Sequence, residues 1–187
     1  MILSLYPRFQ EWSARGSVYL IGDTHFNDAE LRAGIPTRPT DEELIKNINN
    51  HVGKNDTLVI LGDVGEPAFA QLLHGYKVLI AGNHDQSLTA LAPYFNEIYS
   101  GPLFIGEKIL LSHEPIDVPF AYNFHGHTHA AINEPAHLIN CCADAINYVP
   151  LSLGQFIKQK GLSLIPSIHR ATIDKATARK EKNHVFL

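Results

Sequence analysis

Side chains that can bind metal ions follow five hydrophobic segments of the sequence, each at the point where the segment ends. Residues 58–61 are rich in β-branched residues and are followed by Gly62 and Asp63, the pattern of a buried parallel strand with a carboxylate at its tip. Open α/β sheets bind ligands at the carboxyl ends of their strands, so Asp63 lies where chemistry would occur. Equivalent side chains at the other four ends are Asp23 with His25, Asn83 with His84 and Asp85, His113, and His127 with His129. We therefore predict that the five ends converge on a two-metal site with Asp63 at its centre.

The chemistry of this set is that of hydrolysis at phosphorus. Aspartate, asparagine and histidine are hard or borderline ligands, which suit manganese, iron, zinc or magnesium better than copper. Asp63 is the candidate for a carboxylate that bridges both ions, because its strand is predicted to be central. Two cations ~3.5–4 Å apart can hold the attacking and leaving oxygens of a displacement, and a water between them loses its proton near neutral pH.

A leaving alkoxide also needs a proton. His84 follows the predicted ligand Asn83, so it would sit beside the ions without binding one. We predict that His84 supplies the proton, and that Asp85 orients its ring and keeps it protonated. The structural alternative is a histidine that is merely tied to Asp85.

The composition is that of an ordinary globular domain. With 187 residues, 45% apolar and 18% charged, the chain suits one domain over residues 1–187, with a core at about 17–161 and a basic tail at 162–187. The formal charge of −4 gives no electrostatic reason to expect a nucleic-acid or membrane partner. No run approaches the ~20 apolar residues of a membrane span. The oligomeric state is left open.

Two features of the sequence indicate the cellular location. The first twelve residues lack a basic region followed by a long apolar core, so we expect no signal peptide. Cys141 and Cys142 are adjacent and provide no disulfide framework, so we expect a cytoplasmic protein in which both are strand residues of the core.

Helix signals alternate with the first three strands. Thr40 and Glu43 form a capping box ahead of apolar residues at helical spacing, which predicts a helix over about 41–52. Residues 1–16 precede the first predicted strand, and Pro7 is interpreted as a turn or breaker. Another helix is predicted to begin at Pro67. Its inward side chains would be Phe69, Leu72 and Leu73.

The later part of the chain is rich in strand signals. Ser87 is predicted to cap a short helix, and Ser152 a helix that Gly161 closes. Strands are predicted over 97–100, over 103–112 with a tight turn, and over 137–142. Alternation followed by consecutive strands predicts a two-layered β core flanked by helices.

The five blocks also carry a family resemblance. They read Asp23-x-His25, Gly62-Asp63, Gly82-Asn83-His84-Asp85, His113 and Gly126-His127-x-His129, over residues 22–129. In that order they resemble the calcineurin-like metallophosphoesterases. The resemblance implies an α/β (α+β) fold, a β-sandwich of two mixed sheets flanked by helices.

The resemblance also implies a ligand set and a reaction. The first metal would be bound by Asp23, His25, Asp63 and His129, and the second by Asp63, Asn83, His113 and His127. The ions would be two divalent metals, with manganese expected and iron, zinc, magnesium, nickel or cobalt as alternatives. The reaction would be hydrolysis of a phosphate ester by a hydroxide that bridges the metals, with His84 as the acid. We expect a phosphodiesterase acting on small or nucleotide-like substrates.

Further residues are similar to those of the small bacterial and phage phosphoesterases. Arg38 and Asn49 match positions that imply contact with the substrate. The structural alternative for Arg38 is a solvated loop residue, and the alternative for Asn49 is a residue on the helix surface. After the last block the chain reads Asn140-Cys141-Cys142-Ala143-Asp144, where the family has Asn-x-Gly-x-Asp, so Cys142 replaces a glycine. Asp144 is a third substrate-binding candidate; it would otherwise orient a metal-bound histidine or form a turn.

Other branches of the family and other functions are the alternatives to this hypothesis. Glu66 stands where purple acid phosphatases carry a tyrosine, and the protein phosphatase Asp-Arg-Gly is absent from residues 64–67. The alternatives that stay open are a nucleic-acid end-processing enzyme that uses the basic tail, and a non-catalytic scaffold of the same fold. The remaining histidines are interpreted as surface or packing residues: His51, His74, His125, His137, His169 and His184.

Overall fold

Two mixed β-sheets pack face to face in this protein, whose computed structural model describes residues 6–130 and 134–160. The first sheet has the order β4 (Glu97–Tyr99), β3 (Tyr76–Ile80), β2 (Thr57–Ile60), β1 (Val18–Ile21) and β9 (Leu151–Ser152). The second has the order β5 (Leu103–Gly106), β6 (Ile109–Leu111), β7 (Tyr122–His125) and β8 (Leu138–Asn140). Strands β1 to β4 are parallel to one another and so are β6 to β8, whereas β9 and β5 run antiparallel to their neighbours. The predicted α+β fold of two mixed sheets flanked by helices is confirmed.

Helices connect the strands and cover the sheets. They are α1 (Pro7–Arg15), α2 (Ala29–Gly34), α3 (Asp41–His51), a 3₁₀ helix (Pro67–Leu72), α4 (Leu88–Leu91) and α5 (Leu153–Lys160). The capping box of α3 is formed as predicted: Glu43 N–H donates to Thr40 Oγ1 at 3.3 Å and Thr40 N–H to Glu43 Oε2 at 2.9 Å. Ser87 and Ser152 cap their helices as predicted, and Gly161 and the basic tail lie outside the described residues.

The structure corrects the interpretation of three segments. Pro7 begins α1 instead of breaking the chain, because proline at the first helical position loses no hydrogen bond that the helix would use. Helix α2 was not predicted; Asp28 caps it by accepting from Leu31 N–H at 2.8 Å. Leu72 is 57% exposed and Leu73 is buried, because the 3₁₀ helix ends at Leu72 and the extended residue after it turns inward.

The core has two layers, one on each face of the first sheet. Successive side chains of a strand point to opposite faces, so Val59 of β2 faces the second sheet whereas Leu58 and Ile60 face α3. Leu44 and Ile48 of α3 are fully covered there. Burial on both faces explains why the first three strands read as continuous apolar runs.

Parallel strands bring their carboxyl ends to one edge. The ends of β1, β2 and β3 are neighbours in the first sheet, and those of β6 and β7 are neighbours in the second. At this edge Gly22 pairs with Cys142, through Gly22 N–H to Cys141 O at 2.7 Å and Ala143 N–H to Gly22 O at 2.9 Å. We call the edge formed by these carboxyl ends the ligand edge.

Within the described ranges no helix has the length and apolar character needed to cross a membrane.

Candidate metal centre

Four of the predicted metal ligands adopt a left-handed backbone at the ligand edge. The φ angles are 54° for Asp23, 41° for His25, 52° for Asp63 and 66° for His127. Residues other than glycine rarely adopt this conformation, which costs ~1–3 kcal/mol and is concentrated at functional sites. Each of these residues lies two to four positions beyond the carboxyl end of a strand.

Asp63 lies between histidines that come from different sheets. Its Oδ2 is 3.7 Å from His25 Nε2, which follows β1, and 3.5 Å from His113 Nε2, which follows β6. Its Oδ1 accepts a hydrogen bond from His84 N–H at 2.9 Å. The structure thus brings Asp63 to the centre of the predicted ligand set.

Asp85 acts on the backbone around Asp63. Its Oδ2 accepts from Asp63 N–H at 3.0 Å and from Gly82 N–H at 2.7 Å, and its Oδ1 accepts from Val64 N–H at 2.8 Å. The prediction that Asp85 orients the His84 ring is therefore wrong, because both carboxylate oxygens are committed to these backbone groups. Asp85 instead fixes the left-handed turn that presents Asp63.

Asp23 is a fully buried carboxylate. Both of its oxygens accept from His127 N–H, at 3.0 and 2.8 Å, and Oδ1 is 3.9 Å from His129 Nε2. Burial raises its pKa to about 6, although His113, the His127 N–H and His129 act in the opposite direction. A carboxylate in this position is stabilised as an anion by a cation close to it.

The second predicted ligand group converges as well. Asn83 Oδ1 is 2.7 Å from His113 Nε2 and 3.1 Å from His127 Nδ1, and the two ring nitrogens are 3.2 Å apart. His113 Nδ1 lies 2.9 Å from the carbonyl of Leu61, which can only accept, so Nδ1 carries the proton of the neutral ring. The lone pair of His113 Nε2 therefore faces the oxygens of Asn83 and Asp63, an arrangement that suits a cation among them.

His129 is held by a buried ion-pair network. Its Nδ1–H donates to Asp144 at 2.7 Å, which turns Nε2 toward Asp23, and this hydrogen bond raises the pKa of His129. Burial by itself would raise the pKa of Asp144, but hydrogen bonds from His129 and Tyr148 and the charge of Arg38 lower it to about 2. Asp144 therefore orients the predicted ligand His129, which is one of the roles that the sequence left open for it.

Arg38 is buried within this network, so its interpretation as a solvated loop residue is wrong. Its guanidinium donates to Asp144 at 2.5 Å and to the carbonyls of Asp23 and Thr24 at 2.8 and 2.7 Å. These contacts are 14 to 106 residues apart in sequence, which explains why local patterns do not reveal them. Arg38 therefore stabilises the turn that follows β1 and balances the charge of Asp144.

Asn49 lies away from the ligand edge. Its amide donates to Leu72 O and accepts from His74 N–H, both at 2.8 Å. Residues 72–74 lead into the amino end of β3, whereas the predicted ligands follow the carboxyl ends. The structural role of Asn49 therefore replaces the predicted contact with substrate.

His84 lies at the rim of the centre. Its side chain is exposed, and its ring centroid is 6.1 Å from that of His25. Asn83 and His127 are exposed too. The centre is therefore open to solvent on the side where His84 stands.

The side chains fit divalent cations. His25 Nε2 is buried and has no hydrogen-bond partner, and burial lowers the pKa of this ring, which keeps it neutral. Atoms of Asp23, Asp63 and His113 lie within 4.8 Å of one another, as do atoms of Asp23, His129 and Cys142. An imidazole nitrogen without a hydrogen bond beside clustered carboxylates is a donor set that suits a divalent cation.

Cys142 is the member of these groups that sequence reasoning missed. The prediction of a core cysteine is confirmed for Cys141, which packs between the sheets. Cys142 is fully buried as well, and its Sγ lies within 4.8 Å of a carboxylate oxygen of Asp23 and a ring nitrogen of His129, so it also faces the acidic centre. Burial and the nearby Asp23 raise the pKa of its thiol. The signal was the replacement of the family's glycine at this position.

The comparisons with known proteins identify relatives without a described activity. No family model matches the chain. It is 34% identical over 166 residues to the uncharacterized protein MJ1445 of Methanocaldococcus jannaschii, a match that covers 75% of this chain and 89% of the relative. The chain belongs to the family of this archaeal protein.

Solved structures add a fold match. The chain is similar to the crystal structure of the protein of unknown function AQ665 from Aquifex aeolicus, with a TM-score of 0.64 and 25% identity over 76% of this chain and 98% of that one. The nuclease MPE of Pseudomonas putida is similar with a TM-score of 0.46 and 22% identity over 63% of this chain and 64% of that one. A likeness of the latter size carries no argument about activity.

Proposed function

We propose that this protein is a calcineurin-like phosphodiesterase that requires two divalent metal ions and hydrolyses small or nucleotide-like phosphodiesters. The observation that carries the proposal is the position of Asp63, whose Oδ2 lies 3.5–3.7 Å from histidines of both sheets. A carboxylate oxygen close to imidazole nitrogens from both sheets is suited to bridge two ions.

The ligands divide between the two ions as follows. We propose the division that the family resemblance implies: Asp23, His25, Asp63 and His129 for one ion, and Asp63, Asn83, His113 and His127 for the other. When bound, two cations would activate a water and neutralise charge on the phosphoryl group. Manganese is the proposed occupant, and zinc, iron, magnesium, nickel and cobalt are alternatives that this donor set accepts.

His84 is proposed to protonate the leaving oxygen. It is an exposed imidazole anchored by its own N–H to Asp63 at 2.9 Å, so its ring stands beside the ligands without competing for an ion. A proton donor helps most when the leaving group is a poor one such as an alkoxide. This favours diesters with alkyl leaving groups as substrates.

The space beside the centre suits a small substituent. A cavity of about 240 Å³ adjoins Asn83 and His113 and is lined in part by Ser112, Glu114 and Ile116. This volume is below the ~300–1,000 Å³ of most drug-sized ligand pockets. One substituent of a compact diester would occupy it.

The experiment is metal analysis joined to a substrate panel. Protein stripped with a chelator is reloaded with manganese or zinc, and its metal content and its hydrolysis of a nitrophenyl monoester, a nitrophenyl diester and an oligonucleotide are measured. We expect two ions per chain and preference for the diester. Full occupancy with no hydrolysis of any phosphoester would favour a non-catalytic scaffold.

The nucleic-acid alternative has its own variant. A chain that lacks residues 172–187 is assayed on the nitrophenyl diester and on the oligonucleotide. We expect both rates to survive in the ratio of the full chain. Loss of oligonucleotide cleavage alone would instead identify a nucleic-acid enzyme that grips its substrate with the tail.

A further inference from the structure

Cys142 brings a sulfur atom to one half of the metal centre. Its Sγ, a carboxylate oxygen of Asp23 and a ring nitrogen of His129 lie within 4.8 Å of one another. Atoms that share one ion stand roughly 3–4 Å apart, because bonds to nitrogen, oxygen and sulfur are ~2.0–2.3 Å long. These three atoms therefore lie within about an ångström of a shared coordination sphere.

The direction of Cys142 follows from the local backbone. Residues 140–142 extend from β8 toward Gly22 of the first sheet, and adjacent side chains of an extended chain point to opposite sides. Cys141 points into the core, with Sγ 3.6 Å from Ile139 O. Cys142 consequently points to the ligand edge, where its Sγ is 3.8 Å from Asp144 Oδ2.

An independent observation indicates a ligand at the same place. His25 Nε2 is buried and makes no hydrogen bond, although it lies 3.7 Å from Asp63 Oδ2. The His25 ring is 5.2 Å from the His129 ring, centroid to centroid. An imidazole nitrogen without a hydrogen-bond partner thus belongs to a ring that lies next to His129, a member of the Cys142 group.

We propose that Cys142 is a thiolate ligand of the ion bound by Asp23 and His129, and that it makes this position selective for thiophilic metals. The inference rests on the proposed metal centre and adds a ligand where the resembled family has glycine. On binding, the thiol proton passes to solvent and the sulfur donates an electron pair to the ion.

The consequence is a centre with two unlike positions. The ligands around Asn83, His113 and His127 are oxygen and nitrogen only, so that position accepts manganese or magnesium. Thiolate favours zinc, iron or cobalt. We expect a mixed centre, with a thiophilic ion beside Cys142 and a harder ion on the other side of Asp63.

Cobalt(II) provides a readout that does not depend on activity. The full chain is stripped of metal and titrated with Co²⁺ while the near-ultraviolet sulfur-to-cobalt charge-transfer absorption and the visible d–d bands are recorded. We expect the charge-transfer band in the unchanged protein and in Cys141→Ser, the matched control. It is expected to vanish in Cys142→Ser and Cys142→Gly, the latter being the family's own residue and the variant that carries the test if the serine form misfolds.

Metal competition measures the selectivity. With zinc and excess manganese present, we expect one zinc per chain in the unchanged protein and a ~10-fold or greater loss of zinc preference in Cys142→Gly. Cobalt bound with d–d bands but without the charge-transfer band would overturn the role of Cys142 and leave the phosphodiesterase proposal standing. Persistence of the band in Cys142→Gly would overturn it as well, and failure of the unchanged protein to bind cobalt would remove both proposals.

Discussion

Both carboxylate oxygens of Asp23 accept a hydrogen bond from the backbone N–H of His127, although the two residues lie 104 positions apart. The contact joins the end of β1 in the first sheet to the loop after β7 in the second. It depends on Gly126, because a Cβ at that residue would collide with Asp23 Oδ2 and come within 2.8 Å of the carbonyl of Leu61.

The first prediction concerns this glycine. Gly126→Ala should displace the Asp23 carboxylate and weaken metal binding, because the collision involves a fixed carbonyl as well as the ligand. Metal content after dialysis and thermal unfolding with and without manganese provide the measurement. The matched control is Gly154→Ala in α5, where a Cβ meets nothing within 4 Å, so we expect no loss of stability or metal. Equal metal content in the two variants would contradict the prediction.

Removal of the central carboxylate should abolish the centre. In Asp63→Ala the His25 and His113 nitrogens lose the oxygen between them, so we expect no detectable turnover and the loss of at least one ion per chain. Metal analysis by mass spectrometry and circular dichroism separate this from unfolding. An Asp63→Ala protein that keeps two ions and normal turnover would disprove the bridging role.

His84 should affect the rate and not the metal. His84→Ala keeps every predicted ligand, so metal content should equal that of the unchanged protein while kcat falls by ~10²–10⁴-fold, the usual contribution of a general acid. The loss should be larger for an alkyl than for a nitrophenyl leaving group, because nitrophenolate departs without a proton. A loss that is the same for both leaving groups would indicate a structural histidine.

Arg38 should affect stability rather than substrate binding. Arg38→Met leaves Asp144 as a buried carboxylate without its cation, which costs ~3–5 kcal/mol for a broken buried pair, and Arg38→Lys should lose less. Denaturant unfolding and the KM for a diester at saturating metal give the comparison. Arg32→Met is the control, since Arg32 pairs with Asp41 on a partly exposed surface, where such pairs contribute ~0–1 kcal/mol. A raised KM at unchanged stability would instead place Arg38 on the substrate phosphate.

A carboxylate remote from the centre should give the fold part of its acid sensitivity. Glu97 accepts from Trp12 Nε1 at 3.1 Å, from Tyr76 OH at 3.0 Å and from Tyr99 OH at 2.5 Å. Burial opposes ionisation, but these hydrogen bonds and the charge of Arg8 together lower the pKa of Glu97 below its ordinary 4.5.

The sign of the pH effect follows from this direction. A carboxyl whose pKa is lower in the folded state stabilises the fold above its unfolded pKa and ceases to do so as the pH falls through the folded value. Glu97→Gln should therefore be less stable by ~1–3 kcal/mol at pH 7, as for hydrogen bonds to a charged group. The difference should shrink below about pH 4.5. Urea unfolding of both proteins from pH 3 to pH 8 measures it, and a difference that is constant with pH would refute the assignment.

The sequence predicts the arrangement of the ligands because each follows a buried parallel strand. Apolar runs ending at Asp23, Asp63 and Asn83 indicate carboxyl ends that must share one edge, and the structure places them there. The cytoplasmic location and the substrate class stay predictions.

Local sequence patterns do not predict contacts that form only in the tertiary structure. Asp85 is adjacent to His84 in sequence and was assigned to it, whereas the fold turns its oxygens to the backbone of Asp63 and Gly82. Arg38 meets Asp144 only after the two sheets have packed, so its burial has no local signature. Cys142 looked equivalent to Cys141 because composition does not tell which side of an extended segment a residue occupies.

The division of the ligands between the sheets has a mechanical consequence. An ion held by Asp23 and His129, or by Asn83 and His113, would cross-link the two sheets at the ligand edge. Neither Cys141 nor Cys142 forms a disulfide that could do so. Ion binding would then oppose the separation of the layers with a free energy that grows with the metal concentration. Chelation would accordingly speed amide hydrogen exchange across the whole inter-sheet seam, far from the few atoms that touch the ion.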